Sequence, residues 1–494
     1  MKAVLISTYE LGRQPFGLAS PAAWLRRAGA EVACFDVSRQ PLDEEAVRAA
    51  ELIAFYVPMH TATRLAVQLL EAVRQINPRA HLCFYGLYAP VNDSYLRGLG
   101  VHTILGGEFE EGLVALAGRL RKGGPLCPPA EVGGEGGRHA GLPLQAGEQP
   151  QPEPVVSLAR QQFLTPDRAG LPRPAHYAHV VMPDGAHRTA GYTEASRGCK
   201  HLCRHCPIVP VYHGAFRVVQ PDVVLADIRQ QVEAGAEHIT FGDPDFFNGP
   251  THAIAIVRKL HDEFPQLTYD VTIKVEHLLQ HANYLRALRE TGCLFVTSAV
   301  ESLDDAVLRR LDKGHTRADF LRVVKLLQAE KLALQPTFVP FTPWTTAAGH
   351  LDLLRVLAEQ GLIEAVPPVQ LAIRLLIPAG SRLLELQEVL DLVGPFDRAA
   401  LAYPWRHAHP RVDALCEEIQ EIVRAGEKLK RARTKTFERI WEAAARASAQ
   451  TLHSGAERAD HRPAPTAEAE TRIAAMPVLP ARAAIPYLNE PWYC

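Results

Sequence analysis

Three closely spaced cysteines carry the clearest chemical signal in this 494-residue chain. Cys199, Cys203 and Cys206 follow one another in a C-x3-C-x2-C pattern, and the next cysteine along the chain is Cys293. A cubane iron–sulfur cluster has four irons, and full ligation by thiolates would need four cysteines. Three thiolates on one short loop therefore predict a cluster with one iron left open, much as catalytic metal sites keep a coordination position free.

Two other interpretations of the same stretch remain open. The three cysteines, together with His201 or His205, have the residue types of a structural zinc site. The three cysteines would also share one face of a helix, where cysteine often serves as a small buried apolar residue. Lys200 and Arg204, together with the two histidines, make the stretch too polar for a core helix. This composition favours a metal centre.

The segment at 194–206, EASRGCKHLCRHC, resembles the cysteine loop of the radical SAM superfamily. The resemblance implies that the open iron of a 4Fe–4S cluster binds the amino and carboxylate groups of S-adenosylmethionine. An electron from the cluster would then cleave the sulfonium and release a 5′-deoxyadenosyl radical, which abstracts hydrogen from a substrate. His205 would lie near the adenine. An external flavodoxin- or ferredoxin-type electron donor and a small-molecule or peptide substrate are the partners implied.

Two further segments resemble cofactor-binding turns of that superfamily. FGDPDFF would hold the methionine amino group, with Gly242 allowing a close backbone approach and Asp243 accepting from the ammonium. An ordinary Asp-Pro turn is the alternative there. In VESLDD, Glu301 and Ser302 would face the ribose hydroxyls, although Ser302 has the residue type of a helix cap. Lys274 would contact the carboxylate or ribose of the cofactor, unless it is a solvated surface lysine.

Composition limits the class of protein. Hydrophobic residues make up 47% and charged residues 22% of the chain, and the net charge is −2, so nothing indicates a nucleic-acid or anionic-membrane partner. No apolar run approaches the ~18 residues that span a bilayer. Nine cysteines without a secretory signal favour a reducing compartment and metal or redox roles. We expect a cytoplasmic protein.

Residues 1–120 predict a doubly wound, Rossmann-like α/β domain. Continuous apolar runs such as KAVLIS and LIAFYVP are typical of buried parallel strands, and helical segments lie between them. Ser20 and Pro21 predict the start of the first helix. The domain resembles the cobalamin-binding type that often precedes a radical SAM domain, which makes cobalamin a possible cofactor. The Asp-x-His-x-x-Gly segment that commonly ligates cobalt is missing, and His60 is interpreted as structural.

The rest of the chain divides by composition and periodicity. Residues 121–186 predict a Gly/Pro-rich linker and an extended lead-in, because they offer little apolar surface to bury. Residues 187–378 show the pattern of six strand–helix units, which predicts a partial (β/α)6 TIM-type barrel with its site at the carboxyl ends of the strands. Residues 379–447 predict a helical extension over the open edge. Residues 448–494 predict a disordered spacer and a tail.

The last residues of the sequence, AIPYLNEPWYC, are rich in aromatic side chains and finish with Cys494. Together with TEASRGCKHLCRHCPIVPVY, this tail resembles a radical SAM family named for a Cys-Cys-Ala-Glu-Pro or Cys-selenocysteine-Ala-Glu-Pro ending. A flexible tether that ends in a cysteine would swing a thiol into the active site, and a selenocysteine codon read as a stop would explain the shortened ending. A cysteine without a role is the alternative.

Two alternative functions stand beside hydrogen abstraction. In the first, the N-terminal domain binds cobalamin and the enzyme transfers a methyl group. In the second, the cysteines form a zinc or iron–sulfur redox-sensing module without catalysis. A bound corrin would favour the first, whereas one zinc and no cleavage of S-adenosylmethionine would favour the second.

Overall fold

The computed structural model describes residues 1–123, 153–454 and 485–489. Most of the predicted linker, much of the spacer and the predicted redox residue Cys494 lie outside the described residues.

The N-terminal domain is built on one parallel sheet of six strands in the order β2-β1-β3-β4-β5-β6. Its strands are β1 (Lys2–Ser7), β2 (Glu31–Asp36), β3 (Leu52–Tyr56), β4 (His81–Tyr85), β5 (Thr103–Gly107) and β6 (Val156–Ser157). Its helices are α1 (Phe16–Arg27), α2 (Glu44–Ala49), α3 (His60–Ile76), α4 (Tyr88–Val91), α5 (Asp93–Gly98) and α6 (Glu110–Arg121). One face of the sheet packs on α1 and α6 and the other on α2, α3 and α5, which confirms the predicted doubly wound fold.

The order of the strands fixes where a ligand would bind in this domain. The chain leaves β1 toward β2 on one side and returns to β3 on the other, so the strand order reverses between β1 and β3. Ligands of open α/β sheets bind outside the carboxyl ends of the strands at such a switch point.

The second sheet has seven strands in the order β14-β13-β12-β11-β8-β7-β15, and a small hairpin, β9–β10, lies beside it. The strands are β7 (His179–Val181), β8 (His187–Thr193), β9 (Ser196–Gly198), β10 (Phe216–Val218), β11 (His238–Phe241), β12 (Thr268–Thr272), β13 (Cys293–Glu301), β14 (Ala333–Phe338) and β15 (Tyr487–Leu488). Five strands, from β8 to β14, are parallel, whereas β7 and β15 are antiparallel additions at one edge.

Helices follow the parallel strands as expected for a partial barrel. They are α7 (Val209–Tyr212), α8 (Pro221–Glu233), α9 (Pro250–Glu263), α10 (Val275–Gln280), α11 (Leu285–Glu290), α12 (Asp305–Arg310), α13 (Arg317–Ala329) and α14 (Ala347–Glu359). The sixth unit is reduced, because its strand survives only as a single parallel bridge between Phe341 and Arg374. Five full strand–helix units and this single bridge make up the partial barrel.

The C-terminal extension differs from the prediction at both ends. Residues 379–409 are mostly irregular, with a 3-10 turn at Arg382–Glu385 and one short α-helix, α15 (Gln387–Leu390). Two long helices follow, α16 (Pro410–Lys428) and α17 (Arg433–Ser454). Helix α17 runs past the predicted boundary at 447, and its side chains Phe437 and Trp441 are buried in the barrel core. The predicted spacer also contains β15, which is ordered by pairing with β7.

The predicted start of α1 was wrong. The helix begins at Phe16, after Pro15, and Pro21 lies inside it. The Ser20 hydroxyl does not cap the helix but donates a 2.7 Å hydrogen bond to Oε1 of Glu110. Among the described helices, none combines the length and the apolar character needed to cross a bilayer.

Candidate active site

The cysteine loop is the long turn of the β9–β10 hairpin. It leaves the sheet at Gly198, whose φ of +74° lies in the left-handed region. A Cβ at this position would lie 2.4 Å from the ring of Tyr212 and 2.5 Å from the carbonyl oxygen of Ala215. Glycine is therefore required both by conformation and by space where the chain enters the loop.

The three predicted cluster ligands come together in the structure. Burial, together with the nearby Cys203 and Cys199, raises the pKa of Cys206 to about 12, and Lys313 opposes the shift. Burial likewise raises the pKa of Cys199 to about 11, and Cys203 contributes. All three are free thiols. Three mutually interacting thiols beside a buried cation fit a shared, negatively charged iron–sulfur cluster, and they remain the predicted ligands.

Glu301 connects the end of β13 to the cysteine loop. Its Oε1 lies 3.1 Å from Nε2 of His205 and 3.3 Å from Nζ of Lys313. Burial alone would raise the pKa of Glu301, but Lys313 and His205 outweigh it and lower the pKa to about 2. The residue has a φ of +68°, a conformation that non-glycine residues seldom adopt and that is often found at functional sites. The structure therefore places an ionised carboxylate beside the loop.

Sequence reasoning missed two residues of this site, Lys313 and His315. Lys313 is 3% exposed, its Nζ lies 3.3 Å from the Glu301 carboxylate, and it interacts electrostatically with Cys203 and Cys206. His315 is 6% exposed, and neither of its ring nitrogens has a hydrogen-bond partner. Burial lowers the pKa of His315 to about 4, and Lys313 and Lys274 contribute, so the ring is neutral near pH 7. The sequence feature that could have pointed to both residues is the polar run KGHT at 313–316, which follows α12 and leads back toward the strand ends.

The predicted residues Gly242 and Asp243 have structural contacts at the end of β11. A Cβ on Gly242 would lie 1.9 Å from the Tyr192 hydroxyl oxygen. The Asp243 carboxylate accepts from the backbone N–H of Ala195 at 2.9 Å and from the Ser196 hydroxyl at 2.5 Å. Burial raises the pKa of Asp243 to about 7. This carboxyl group thus fixes the base of the cysteine loop, and contact with the cofactor stays a prediction.

Lys274 and Ser302 lie at the ends of neighbouring strands. Lys274 is 8% exposed, so it is not the solvated surface lysine considered as the alternative, and its Nζ lies 3.3 Å from Oε2 of Glu276. The Ser302 hydroxyl accepts from the backbone N–H of Asp304 at 3.1 Å. Asp304 itself caps helix α12, so Ser302 is not the N-cap. Neither contact tests the predicted role of the residue in cofactor binding.

The N-terminal domain meets this site through a buried ionic cluster. Arg197, at the middle of β9, lies 2.7 Å from Glu110, 2.8 Å from Glu194 and 3.3 Å from Glu108. All four residues are buried or nearly so. Burial raises the pKa of Glu108 to about 7, although Arg197 opposes the shift. The carboxyl end of β5 is therefore joined directly to the strand that enters the cysteine loop.

Comparisons with known proteins agree with this site. The model of the radical SAM superfamily matches residues 193–342. A tRNA-2-methylthio-N(6)-dimethylallyladenosine synthase of Chlorobium luteolum is 26% identical over 150 residues, which are 28% of this chain and 33% of the relative. A bacteriochlorophyllide d C-12(1)-methyltransferase of Chlorobaculum tepidum is 24% identical over 149 residues, covering 29% and 32%. The chain thus spans about a third of the length of these relatives.

Two solved structures resemble the fold over a larger share of the chain. The cobalamin-dependent S-adenosylmethionine radical enzyme OxsB, with aqua-cobalamin bound, matches with a TM-score of 0.65 and 13% identity over 96% of this chain and 78% of its own. The radical S-adenosylmethionine methyltransferase TsrM from Kitasatospora setae, with cobalamin and a [4Fe-4S] cluster bound, matches with a TM-score of 0.57 and 14% identity over 73% of each chain. The superfamily match covers the strands that flank the three converging thiols, so residues 193–342 form a radical SAM domain, the domain type that binds a 4Fe–4S cluster and S-adenosylmethionine.

Proposed function

We propose that the protein is a cobalamin-dependent radical SAM methyltransferase. The single observation that supports this most directly is that the carboxyl edge of the N-terminal sheet lies against the strand that enters the cysteine loop. The carboxyl end of β5 contacts β9 through Glu108, Glu110 and Arg197, and Tyr212 of α7 donates to Glu108 at 3.2 Å. A group bound at the switch point of the first domain would therefore lie against the cysteine loop.

The switch-point edge offers both apolar and polar contacts for a large ligand. The rings of Tyr56, Tyr85 and Phe109 pack together at centroid distances of 5.0 to 6.0 Å and form an aromatic floor. At the end of β1, Ser7 Oγ and Glu10 Oε2 are buried and have no hydrogen-bond partner. Burial and the nearby Glu194 raise the pKa of Glu10 well above its usual value, which favours the protonated carboxyl group as a hydrogen-bond donor. These residues fit the amide-bearing rim of a corrin.

No described residue at this edge fits a protein ligand to cobalt. His60 begins α3 beside the switch point, but its Nε2 contacts the carbonyl oxygen of Ala400 in the C-terminal extension. Burial lowers its pKa. We therefore propose that the corrin binds without a protein ligand to its cobalt, as in some members of the superfamily.

The two cofactors would supply the chemistry and the chain would supply the geometry. When bound, the cluster provides the electron that cleaves S-adenosylmethionine, and the corrin relays a methyl group. Glu301 holds the ring of His205, a residue of the cysteine loop, and Lys313 offsets the negative charge of the thiolates. His315 presents two unpaired ring nitrogens in the same buried region. These contacts would orient the cofactor and keep water away from a radical.

The test is anaerobic purification from cells supplied with hydroxocobalamin. We expect about one corrin per chain and, on reduction with S-adenosylmethionine, both 5′-deoxyadenosine and S-adenosylhomocysteine. Glu10→Ala should lower corrin occupancy at least about fivefold, because an unpaired buried carboxyl group is lost from the rim. Glu51→Ala is the control, since Glu51 is exposed at the opposite edge of the sheet.

A second candidate function is hydrogen abstraction without cobalamin. The contact of His60 with Ala400 favours it, because the extension covers part of the switch-point edge. In that case the purified protein binds no corrin and yields 5′-deoxyadenosine alone. This result would overturn the methyltransferase proposal.

A further inference from the structure

A second group of possible metal ligands lies beside the cysteine loop. His201 belongs to the loop, Asp245 follows β11 and His277 lies on α10. One ligating atom from each residue lies within 4.8 Å of the others. Ligands bonded to one ion at about 2.0–2.2 Å are separated by roughly 3 to 4.4 Å, so the arrangement is close to that of a loaded site.

The ligating atoms are buried and have no hydrogen-bond partner outside the group. Asp245 is 1% exposed and His277 is 7% exposed. Asp245 Oδ1 accepts from the backbone N–H of Phe247 at 3.0 Å, which leaves Oδ2 as the oxygen that faces both imidazoles. Buried polar atoms without partners are rare in folded proteins and often mark a missing ion or water.

The shortest contact in the group joins Asp245 and His277. Asp245 Oδ2 lies 2.7 Å from Nδ1 of His277 and 3.5 Å from Nε2 of His201. The first distance suits a hydrogen bond from the His277 ring, and a metal ion bound by both atoms would take the place of that proton. Two ring nitrogens that converge on one carboxylate oxygen leave a position for a shared cation.

We infer that His201, Asp245 and His277 form a site for a divalent first-row transition-metal ion, separate from the iron–sulfur cluster. Two imidazoles and one carboxylate are the ligands that Zn²⁺ and Fe²⁺ bind in three-ligand protein sites, with further positions left to water. The inference depends on these three side chains alone and is independent of cobalamin.

Glu276 supports the same assignment. Its Oε2 lies 3.6 Å from Nδ1 of His201, the ring nitrogen that faces away from Asp245. A carboxylate that bonds to the far side of a ligating histidine fixes the orientation of the ring and makes it a better ligand, and Glu276 lies just beyond that bonding distance. Nζ of Lys274 lies 3.3 Å from the same oxygen of Glu276, so this carboxylate is held in place by a lysine that follows β12.

The position of the site indicates what it does. His201 lies between Cys199 and Cys203, whereas Asp245 and His277 belong to the rigid ends of β11 and α10. An ion bound here ties the middle of the cysteine loop to the barrel. The loop would then be held in position whether or not the iron–sulfur cluster has been inserted.

The experiment uses the full chain with Cys199→Ser, Cys203→Ser and Cys206→Ser, so that the thiolates cannot compete. Titration with Co²⁺ should give visible d–d absorption that saturates at about one ion per chain, and Zn²⁺ should displace it. Adding His277→Ala should weaken Co²⁺ binding at least about tenfold. Adding His281→Ala is the matched control, because the His281 ring lies 5.6 Å from that of His277 but outside the ligand set.

A second measurement covers the case in which the serine variant fails to fold. Metal analysis of the wild-type holoprotein should find one transition ion per chain beyond the cluster iron. His277→Ala should lose that ion and His281→Ala should keep it. Absence of the extra ion in the wild-type holoprotein would overturn the inference. Co²⁺ binding to a folded serine variant that His277→Ala leaves unchanged would also overturn it.

Discussion

The guanidinium of Arg197 lies 2.7 Å from the carboxylate of Glu110, which joins the strand entering the cysteine loop to the first turn of α6. The same guanidinium contacts Glu108 and Glu194, and its carbon lies 5.0 Å from the centre of the Phe163 ring. One buried cation therefore serves three carboxyl groups from both domains. The contact holds the N-terminal domain against the loop that carries the predicted cluster ligands.

Replacing this cation should be severely destabilising. Arg197→Gln leaves buried carboxyl groups without their counter-charge, which typically costs about 3–5 kcal/mol. We expect a lower free energy of unfolding by that amount, measured by denaturant titration of the cluster-free protein. Arg446→Gln is the control, because Arg446 is 57% exposed where it contacts Glu418 and such pairs contribute about 0–1 kcal/mol. Equal effects of the two substitutions would contradict the assigned role.

Glu108 should make stability depend on pH in an unusual direction. Burial, opposed by Arg197, raises its pKa from the ordinary 4.5 to about 7. The folded state thus holds the proton more tightly than the unfolded state does. The resulting contribution to stability is full below pH 4.5 and is lost as pH rises through about 7.

Glu108→Gln should remove that dependence. Between pH 4.5 and 7 the free energy of unfolding of the wild type should fall relative to the variant, by roughly 3 kcal/mol at most. Denaturant titrations at several pH values measure the difference. A variant that keeps the full slope of the wild type would assign the titration to another group, such as Asp243, whose pKa is also raised to about 7.

The elements with strong local signals were predictable from sequence. The cysteine spacing identified the loop from Cys199 to Cys206, and the apolar strand runs predicted the doubly wound sheet and most of the barrel. Glu301 was selected correctly as a residue at a strand end, although its observed partners are His205 and Lys313.

Residues whose partners are distant in sequence were not predictable in the same way. Arg197 follows Glu194 closely, but its partners Glu108 and Glu110 come from another domain. Ser20 was assigned to a helix cap because its type favours caps, whereas tertiary packing uses its hydroxyl for Glu110. Local propensity carries no information about such contacts.

The cluster assignment can be tested with two buried cysteines of the same chain. Cys203→Ala should lower the iron content after anaerobic reconstitution from about four per chain to near zero and abolish formation of 5′-deoxyadenosine. Cys293→Ala is the matched control, because this thiol is equally buried but lies on β13 with its Sγ 3.4 Å from the carbonyl oxygen of Phe295. Iron retained by Cys203→Ala would contradict the predicted ligand set.

Strand β15 joins the two free edges of the curled sheet. It pairs with β7 on one side, where the backbone N–H of His179 donates to Asn489 at 2.8 Å. On the other side Gln335 of β14 donates to the carbonyl oxygen of Pro486 at 2.7 Å. Because β7 is antiparallel to both β8 and β15, β15 runs in the same direction as β8. The segment therefore spans the lateral opening that a partial barrel leaves.

Tyr487→Ala should loosen this closure without unfolding the barrel. The Tyr487 ring packs against Arg433 at 4.2 Å, a cation–π contact of about 0.5–1 kcal/mol, and the ring also lines a small cavity with Gln335. Losing about 1 kcal/mol should speed hydrogen exchange of the β7 amides roughly fivefold, because local opening then becomes more frequent. Mass spectrometry of the peptide 177–183 measures the rate. Leu429→Ala, at a residue 66% exposed, should leave it unchanged. If exchange in β7 is the same in both variants, then β15 does not hold this edge closed.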